Sequence, residues 1–159
     1  MQPFGHLPSG LVVDDEEIYR RNRDDLIRYA AVLVGPSAAE DVVSTVVLRV
    51  LTRRRLMDLD EPRAYLFRAV LNESRTRLAR RRTVLGLPID AADPERDPQP
   101  QVLAAVLALP ARQRAATYLV YWAGMTIGEA AALLGVRPGT AKRYLHLARR
   151  TLEGVLDAD

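Results

Sequence analysis

Gly135 and Pro138 fix the local geometry of the stretch MTIGEAAALLGVRPGTAKRYLHLARR, from Met125 to Arg150. Glycine enters the left-handed region without a Cβ clash, so Gly135 is a natural stop for a helix that precedes it. Proline has no N–H to lose in a first helical turn, so Pro138 suits the start of a helix that follows. Upstream, Thr126 and Glu129 have the T-x-x-E spacing of a capping box and predict a helix start at Ile127. Ala130, Ala131, Leu133 and Leu134 give that helix a small-residue face for close packing. The residues of this stretch therefore predict two short helices joined by a tight turn.

The second of these helices divides into two faces. At about 100° per residue from Thr140, Tyr144, Ala148, Ala141, Leu152 and Leu145 fall on one side, and Arg149, Lys142, His146, Arg150 and Arg143 on the other. The first side can pack on the preceding helix. The second carries four fixed positive charges and, on this count, no acid. A helix in a DNA major groove needs this layout: long donors for guanine edges and phosphates, over a packed back. The competing reading is a solvated basic face on an ordinary surface helix, because helix-turn-helix look-alikes are common.

Composition narrows the rest. Among the 159 residues 48% are apolar and only 6% aromatic, with alanine, leucine and arginine abundant, which favours helices over sheets. The net charge is +3, but its distribution is more informative. Residues 63–82 hold seven Arg against one acid, Glu73, whereas residues 83–101 hold four acids and one Arg. Two basic patches separated by an acidic stretch suggest two contacts with one polyanion. The absence of cysteine excludes disulfides, thiolate zinc sites and a cysteine nucleophile. No glycine loop to cradle phosphate, no pair of histidines at metal spacing and no Ser/His/Asp set points to an enzyme or a cofactor. The start, MQPFGHLPSG, lacks the layout of a signal peptide, and the longest apolar run, Val102 to Leu109, is too short to span a bilayer. The expectation is a cytosolic protein with no membrane insertion.

The chain reads as all-α in two units. Residues 1–13, with two Pro and two Gly, are expected to be disordered. Asp14 to Glu17 fit acids at a helix N-terminus better than a catalytic pair, since nothing nearby would raise a pKa. A first helix is expected from about Glu16 to Val34 on Ile18, Leu26, Tyr29, Ala30 and Leu33, stopped by Gly35-Pro36. Ser37 and Glu40 form an S-x-x-E box for the next helix, which should run to about Arg54. Its valine-rich stripe (Val42, Val43, Val46, Val47, Val50, Leu51) also suits a strand, but the caps, length and three-to-four-residue period favour helix. A third helix opens at Glu61-Pro62 and continues to about Arg82. Leu66, Phe67, Val70, Leu71 and Leu78 share one arc, with Arg68, Asn72 and Arg75 opposite, a layout that suits either a nucleic-acid backbone or an arginine-rich solvated surface. Residues 83–100, with four Pro and four acids, have the composition of a linker. Helices resume from Gln101, interrupted at Pro110, with a segment from about Ala111 to Trp122 ended by Gly124. The units are thus 14–82 and 101–159.

At this point the chain resembles the bacterial sigma factors of the extracytoplasmic-function group. The resemblance is carried by "AEDVVSTVVLRVL" at 39–51, "RAYLFRAVLNESRTRLARRR" at 63–82, "LPARQR" at 109–114, "MTIGEAAALLGV" at 125–136 and "GTAKRYLHLARRTL" at 139–152. It implies a region 2-like helical bundle and a region 4-like helix-turn-helix joined by a flexible linker. The function it implies is binding of core RNA polymerase, promoter recognition, melting and transcription initiation. The second helix would dock on the polymerase clamp through Asp41, with Ser44, Thr45 and Leu48 on the same surface. The third would capture the unpaired non-template strand of the minus-ten element. There Asn72 matches the family's asparagine, and Arg68, Arg75 and Arg77 would hold phosphates or bases. Tyr65 or Phe67 would wedge or pack nearby, with the core as the competing position for both. The last helix would read the minus-thirty-five duplex through Arg137, Thr140, Lys142, Arg143, His146, Arg149 and Arg150. Arg112 and Arg114 fit a phosphate contact or an ordinary surface position equally well. The implied partners are core RNA polymerase and promoter DNA, and the resemblance admits an anti-sigma factor that no residue specifies.

Three departures stand out. Ser44-Thr45 replaces the family's usual Gln-Glu, which removes polar and charged contacts at the docking surface. Thr76 stands where an acid is common. Arg137 replaces the usual Ser-like cap, leaving helix N–H groups to water or a phosphate. A stand-alone helix-turn-helix regulator that binds duplex DNA without polymerase is the alternative, and the basic third helix argues against it.

Overall fold

The computed structural model describes residues 14–85 and 105–157, all of them helix, turn or short connection without strand. The expectation for residues 1–13 and most of the expected linker lie outside the described residues. Residues 83–85 belong to the end of a helix.

Helix α1 (Asp15–Val34) is capped by Asp14, whose carboxylate accepts the Glu17 N–H at 2.8 Å. Asp15, Glu16 and Glu17 fill its first turn, where the helix dipole favours them. The stripe Ile18, Leu26, Tyr29, Ala30 and Leu33 is buried as its spacing predicts.

Gly35, at φ +91°, ends α1 and lets α2 (Pro36–Leu51) begin at once. Here the Ser37–Glu40 capping box does not form. Pro36 takes the first helical position with its φ already set, so Ser37 falls inside the first turn and no side chain caps the helix. Glu40 faces Arg23 of α1 instead, at 3.7 Å. The helix also stops at Leu51 rather than near Arg54, and the Thr52 hydroxyl donates to the Arg49 carbonyl at 2.8 Å. Val42, Val43, Val46, Val47 and Val50 are buried against α1 and α3, which settles the helix reading, while Leu51 points out.

A single 3-10 turn, Leu56–Asp58, drops Leu56 into the core. Helix α3 (Pro62–Leu85) then crosses both α1 and α2. Leu66, Phe67, Val70, Leu71 and Leu78 face inward, as their arc predicts.

After a helical turn at 105–108 come α4 (Ala111–Tyr121), α5 (Ile127–Leu134) and α6 (Pro138–Leu156), packed on one another. This group does not stand apart. Helix α4 packs on α1, α5 touches α3, and residues of both groups share one hydrophobic core. Tyr29 lies at the junction, its ring centroid 5.1 Å from that of Phe67 and 5.3 Å from that of Tyr118. Trp122 extends the aromatic row, stacked 6.3 Å from Tyr118.

Candidate nucleic-acid interface

The helix-turn-helix forms as its residues dictate. The Thr126 hydroxyl accepts the Glu129 N–H at 3.1 Å, and the Glu129 carboxylate accepts the Thr126 N–H at 2.8 Å. Gly135 is left-handed at φ +68°, and Pro138 occupies the first turn of α6. Ala130, Ala131, Leu133 and Leu134 are buried, and so are Ala141, Leu145 and Ala148 on the facing side of α6. Tyr144 and Leu152 are half-buried at the edge of that contact.

The opposite side of α6 is open. Arg137, Lys142, Arg143, His146, Arg149 and Arg150 are exposed, and Thr140 is half-buried. Arg137 precedes the helix with no side-chain cap; Pro138 has no N–H and the Thr140 N–H donates to the Arg137 carbonyl at 2.9 Å, which leaves the Gly139 N–H of the first turn open to an anion. One element departs from the expected acid-free face. Glu153, one turn beyond Arg149, accepts its Nε at 2.7 Å and pushes that guanidinium further toward the charged form. The carboxylate offsets part of the charge at that end of the helix.

On α3, Arg68, Asn72 and Arg75 are exposed together on one side. Tyr65 is half-buried beneath the Arg54 guanidinium, 5.4 Å from its ring centroid, whereas Phe67 is fully buried and belongs to the core. Arg77 does not join the Arg68–Arg75 surface. It lies in the α2–α3 seam, bonded to Asp41, Thr45 and Glu73, and the Asp41 hydrogen bond raises its pKa. On α2, Asp41, Ser44 and Leu48 are exposed and Thr45 is half-buried; Leu48 is 67% exposed.

Arg112 remains at the surface, with its Nη1 donating to the Tyr144 hydroxyl at 3.4 Å. Arg114 is buried and donates to the Leu107 carbonyl at 3.0 Å, and desolvation lowers its pKa. A guanidinium spanning the turn from 105–110 to α4 is not available to a phosphate, so the phosphate option for Arg114 is withdrawn. Among the described residues no three or more His, Cys, Asp or Glu are grouped to hold a metal ion, and no helix is long and apolar enough to cross a membrane.

Sequence reading missed the residues that join the two halves. Arg63 of α3 donates to the Asp25 carboxylate and to the Ala123 carbonyl, each at 3.0 Å, and to the Asn22 side-chain oxygen at 3.4 Å. Its guanidinium lies 5.0 Å from the centroid of the Phe67 ring. These partners are far away in sequence, so no spacing rule marks them. The Glu73–Arg77 pair, four residues apart on one helix, did carry a readable signal.

Two families match this architecture region by region. Residues 18–84 match the family described as Sigma-70 region 2, and residues 100–152 match that described as Sigma-70, region 4. A relative named RNA polymerase sigma-E factor, from Streptomyces avermitilis, is 30% identical over 96% of the chain and 90% of its own length. The chain belongs to the RNA polymerase sigma factors of the sigma-70 family. The ECF RNA polymerase sigma factor SigL of Mycobacterium tuberculosis is 34% identical, covering 85% of this sigma factor and 84% of SigL. The fold is shared with the sigma factor RpoE of Bartonella quintana, solved with the anti-sigma factor NepR, at a TM-score of 0.79 and 24% identity over 93% of the chain and 99% of RpoE. Because both regions match in order, the sigma factor reading displaces that of a stand-alone regulator. The exposed basic side of α6 falls within the region 4 match and the Arg68–Arg75 surface within the region 2 match.

Proposed function

We propose that this sigma factor divides promoter recognition among three surfaces. Asp41, Ser44, Thr45 and Leu48 on α2 dock on core RNA polymerase. Arg68, Asn72 and Arg75 on α3, with Tyr65 beside them, capture the unpaired non-template strand of the minus-ten element. Arg137, Thr140, Lys142, Arg143, His146, Arg149 and Arg150 read the minus-thirty-five duplex. The observation that carries this reading is the contrast on α6: Ala141, Leu145 and Ala148 are buried, and the cationic side is open along the helix.

The physical logic is that duplex and single strand demand different surfaces. A helix with a packed back fits the major groove and presents donors to base edges. Bases leaving the stack are held one at a time by stacking and by hydrogen bonds from short polar and guanidinium groups. Neither task needs a catalytic group, so the sigma factor is itself non-catalytic and the polymerase makes RNA. It acts in the cytoplasm. An anti-sigma factor is a further proposed partner, since RpoE, which shares the fold, was solved with the anti-sigma factor NepR.

Transcription in vitro with core polymerase and a genomic fragment library tests the whole reading, with initiation at discrete start sites as the expected result. Failure to direct polymerase to any start site would sink it. Within that assay Asn72→Ala should impair promoter opening more than duplex binding, and equal loss in both would refute the division of labour.

A further inference from the structure

Helices α2 and α3 are tied along their seam by a row of charges. Glu73 is 5% exposed, and its carboxylate forms an ion pair with Arg49 at 3.0 Å and accepts from the Nε of Arg77 at 3.2 Å. Arg77 then reaches across to α2, where Nη2 donates to the Thr45 hydroxyl at 3.0 Å and Nη1 donates to Oδ2 of Asp41. The guanidinium therefore has all three of its nitrogens engaged inside the protein. Its position on the helix agrees. At about 100° per residue, Arg77 lies about 200° around α3 from Arg75, whereas Arg68 and Asn72 lie within about 60° of it. A side chain across the helix from the strand-facing surface, and bonded to three acceptors, is poorly placed to hold a phosphate there.

Its other end is well placed for a different task. The Asp41 side chain is 70% exposed and shares an exposed arc of α2 with Ser44 and Leu48. Arg77 takes only Oδ2, and Oδ1 of Asp41 meets no donor among the described residues. An exposed carboxylate normally samples several rotamers and loses that freedom on binding. Here an arginine holds it, and a buried carboxylate holds the arginine in turn, so much of that loss is already incurred in the free protein.

We propose that Arg77 is a positioning residue for polymerase docking rather than a DNA contact: anchored by Glu73, it pre-orders Asp41 and sets the docking side of α2 against α3. The proposal rests on the reading that α2 docks on core polymerase.

The test measures the affinity of the full-length sigma factor for core polymerase, alongside the affinity of the saturated holoenzyme for a minus-ten non-template-strand oligonucleotide. Arg77→Gln and Asp41→Asn should each weaken core binding about five-fold, and the double variant should be no weaker than the worse single one, as expected for two residues acting through one contact. Oligonucleotide affinity of the saturated holoenzyme should stay unchanged. Should Arg77→Gln fold poorly by circular dichroism, Arg77→Lys carries the same test, because it keeps the charge but gathers its donors on one nitrogen and cannot span Glu73, Thr45 and Asp41 as the planar guanidinium does. Unchanged core affinity in a folded Arg77 variant, or a fall in oligonucleotide affinity with core binding intact, overturns the proposal. Leu48→Asp separates the two levels. If it too leaves core binding intact, the docking assignment of α2 has failed; if it abolishes binding while the Arg77 variants do not, only the positioning role has.

Discussion

The Tyr118 hydroxyl donates to the backbone carbonyl of Asp25 at 3.0 Å, a bond between α4 and α1 across 93 positions of sequence. The carboxylate of the same Asp25 accepts from Arg63, whose other terminal nitrogen donates to the Ala123 carbonyl at the joint before α5. Asp25 is thus a node where the region 2 and region 4 halves meet, and the stacked Tyr29 and Tyr118 rings lie beside it.

The Arg63 clasp gives a first prediction. Arg63→Met keeps an apolar stem near Phe67 but removes every donor, leaving the Asp25 carboxylate and Ala123 carbonyl to water. Stability should fall by about 2 kcal/mol, the range for charge-assisted hydrogen bonds at a partly exposed site. Urea unfolding followed by circular dichroism measures the loss, and small-angle scattering should show a larger radius of gyration as the halves part. An unchanged midpoint and radius would show that the clasp does not hold the halves together.

Tyr29 gives a prediction of opposite sign. Its hydroxyl is buried with no hydrogen-bond partner among the described residues, while its ring packs on Phe67 and Tyr118. Tyr29→Phe keeps the ring and removes an unsatisfied polar group. It should stabilise the protein by about 1 kcal/mol, seen as a higher Tm. A lower Tm would mean the hydroxyl has a partner in solution.

Alkaline pH should weaken the same junction. Burial pushes the Tyr118 hydroxyl up to about 12, with the nearby Asp25 charge adding to the shift, and burial pushes Tyr29 up as well. Both groups are raised above their unfolded value of about 10. The folded state therefore holds protons that the unfolded state has already released. Stability is complete below pH 10 and falls as pH rises toward 12, by about 2 kcal/mol for Tyr118. Chemical unfolding at pH 9 and at pH 11.5 measures the fall, and it should be shallower in Tyr29→Phe/Tyr118→Phe.

On α6 the ion pair at 2.7 Å between Arg149 and Glu153 predicts an asymmetry. Arg143, with no acid partner among the described residues, should contribute fully to duplex binding, and Arg143→Ala should cost about 1–3 kcal/mol if it reads a base. Arg149→Ala should cost less, because Glu153 already competes for that guanidinium. Glu153→Gln should tighten duplex binding and steepen its salt dependence. Titrations of a minus-thirty-five duplex at two fixed salt concentrations decide this, and no change for either arginine variant would count against the groove assignment.

The sequence by itself determined which segments are helices and which side of each is buried. Thr126, Glu129, Gly135 and Pro138 specify the helix-turn-helix through local hydrogen bonds and allowed φ values, and a 3.6-residue period separates Ala141, Leu145 and Ala148 from Lys142, Arg143 and His146. These are interactions within a few residues, so they can be read from spacing. Only the tertiary structure decided that Pro36 rather than Ser37 opens α2, that Arg114 is buried, that Arg77 faces Asp41 instead of the side of α3 that carries Arg68 and Arg75, and that Arg63 and Tyr118 close the two halves over a common core. A long flexible arginine can satisfy its charge with any acceptor within its reach. Which acceptor it meets depends on how separate helices pack, and that is set by the fit of whole apolar faces rather than by any local pattern.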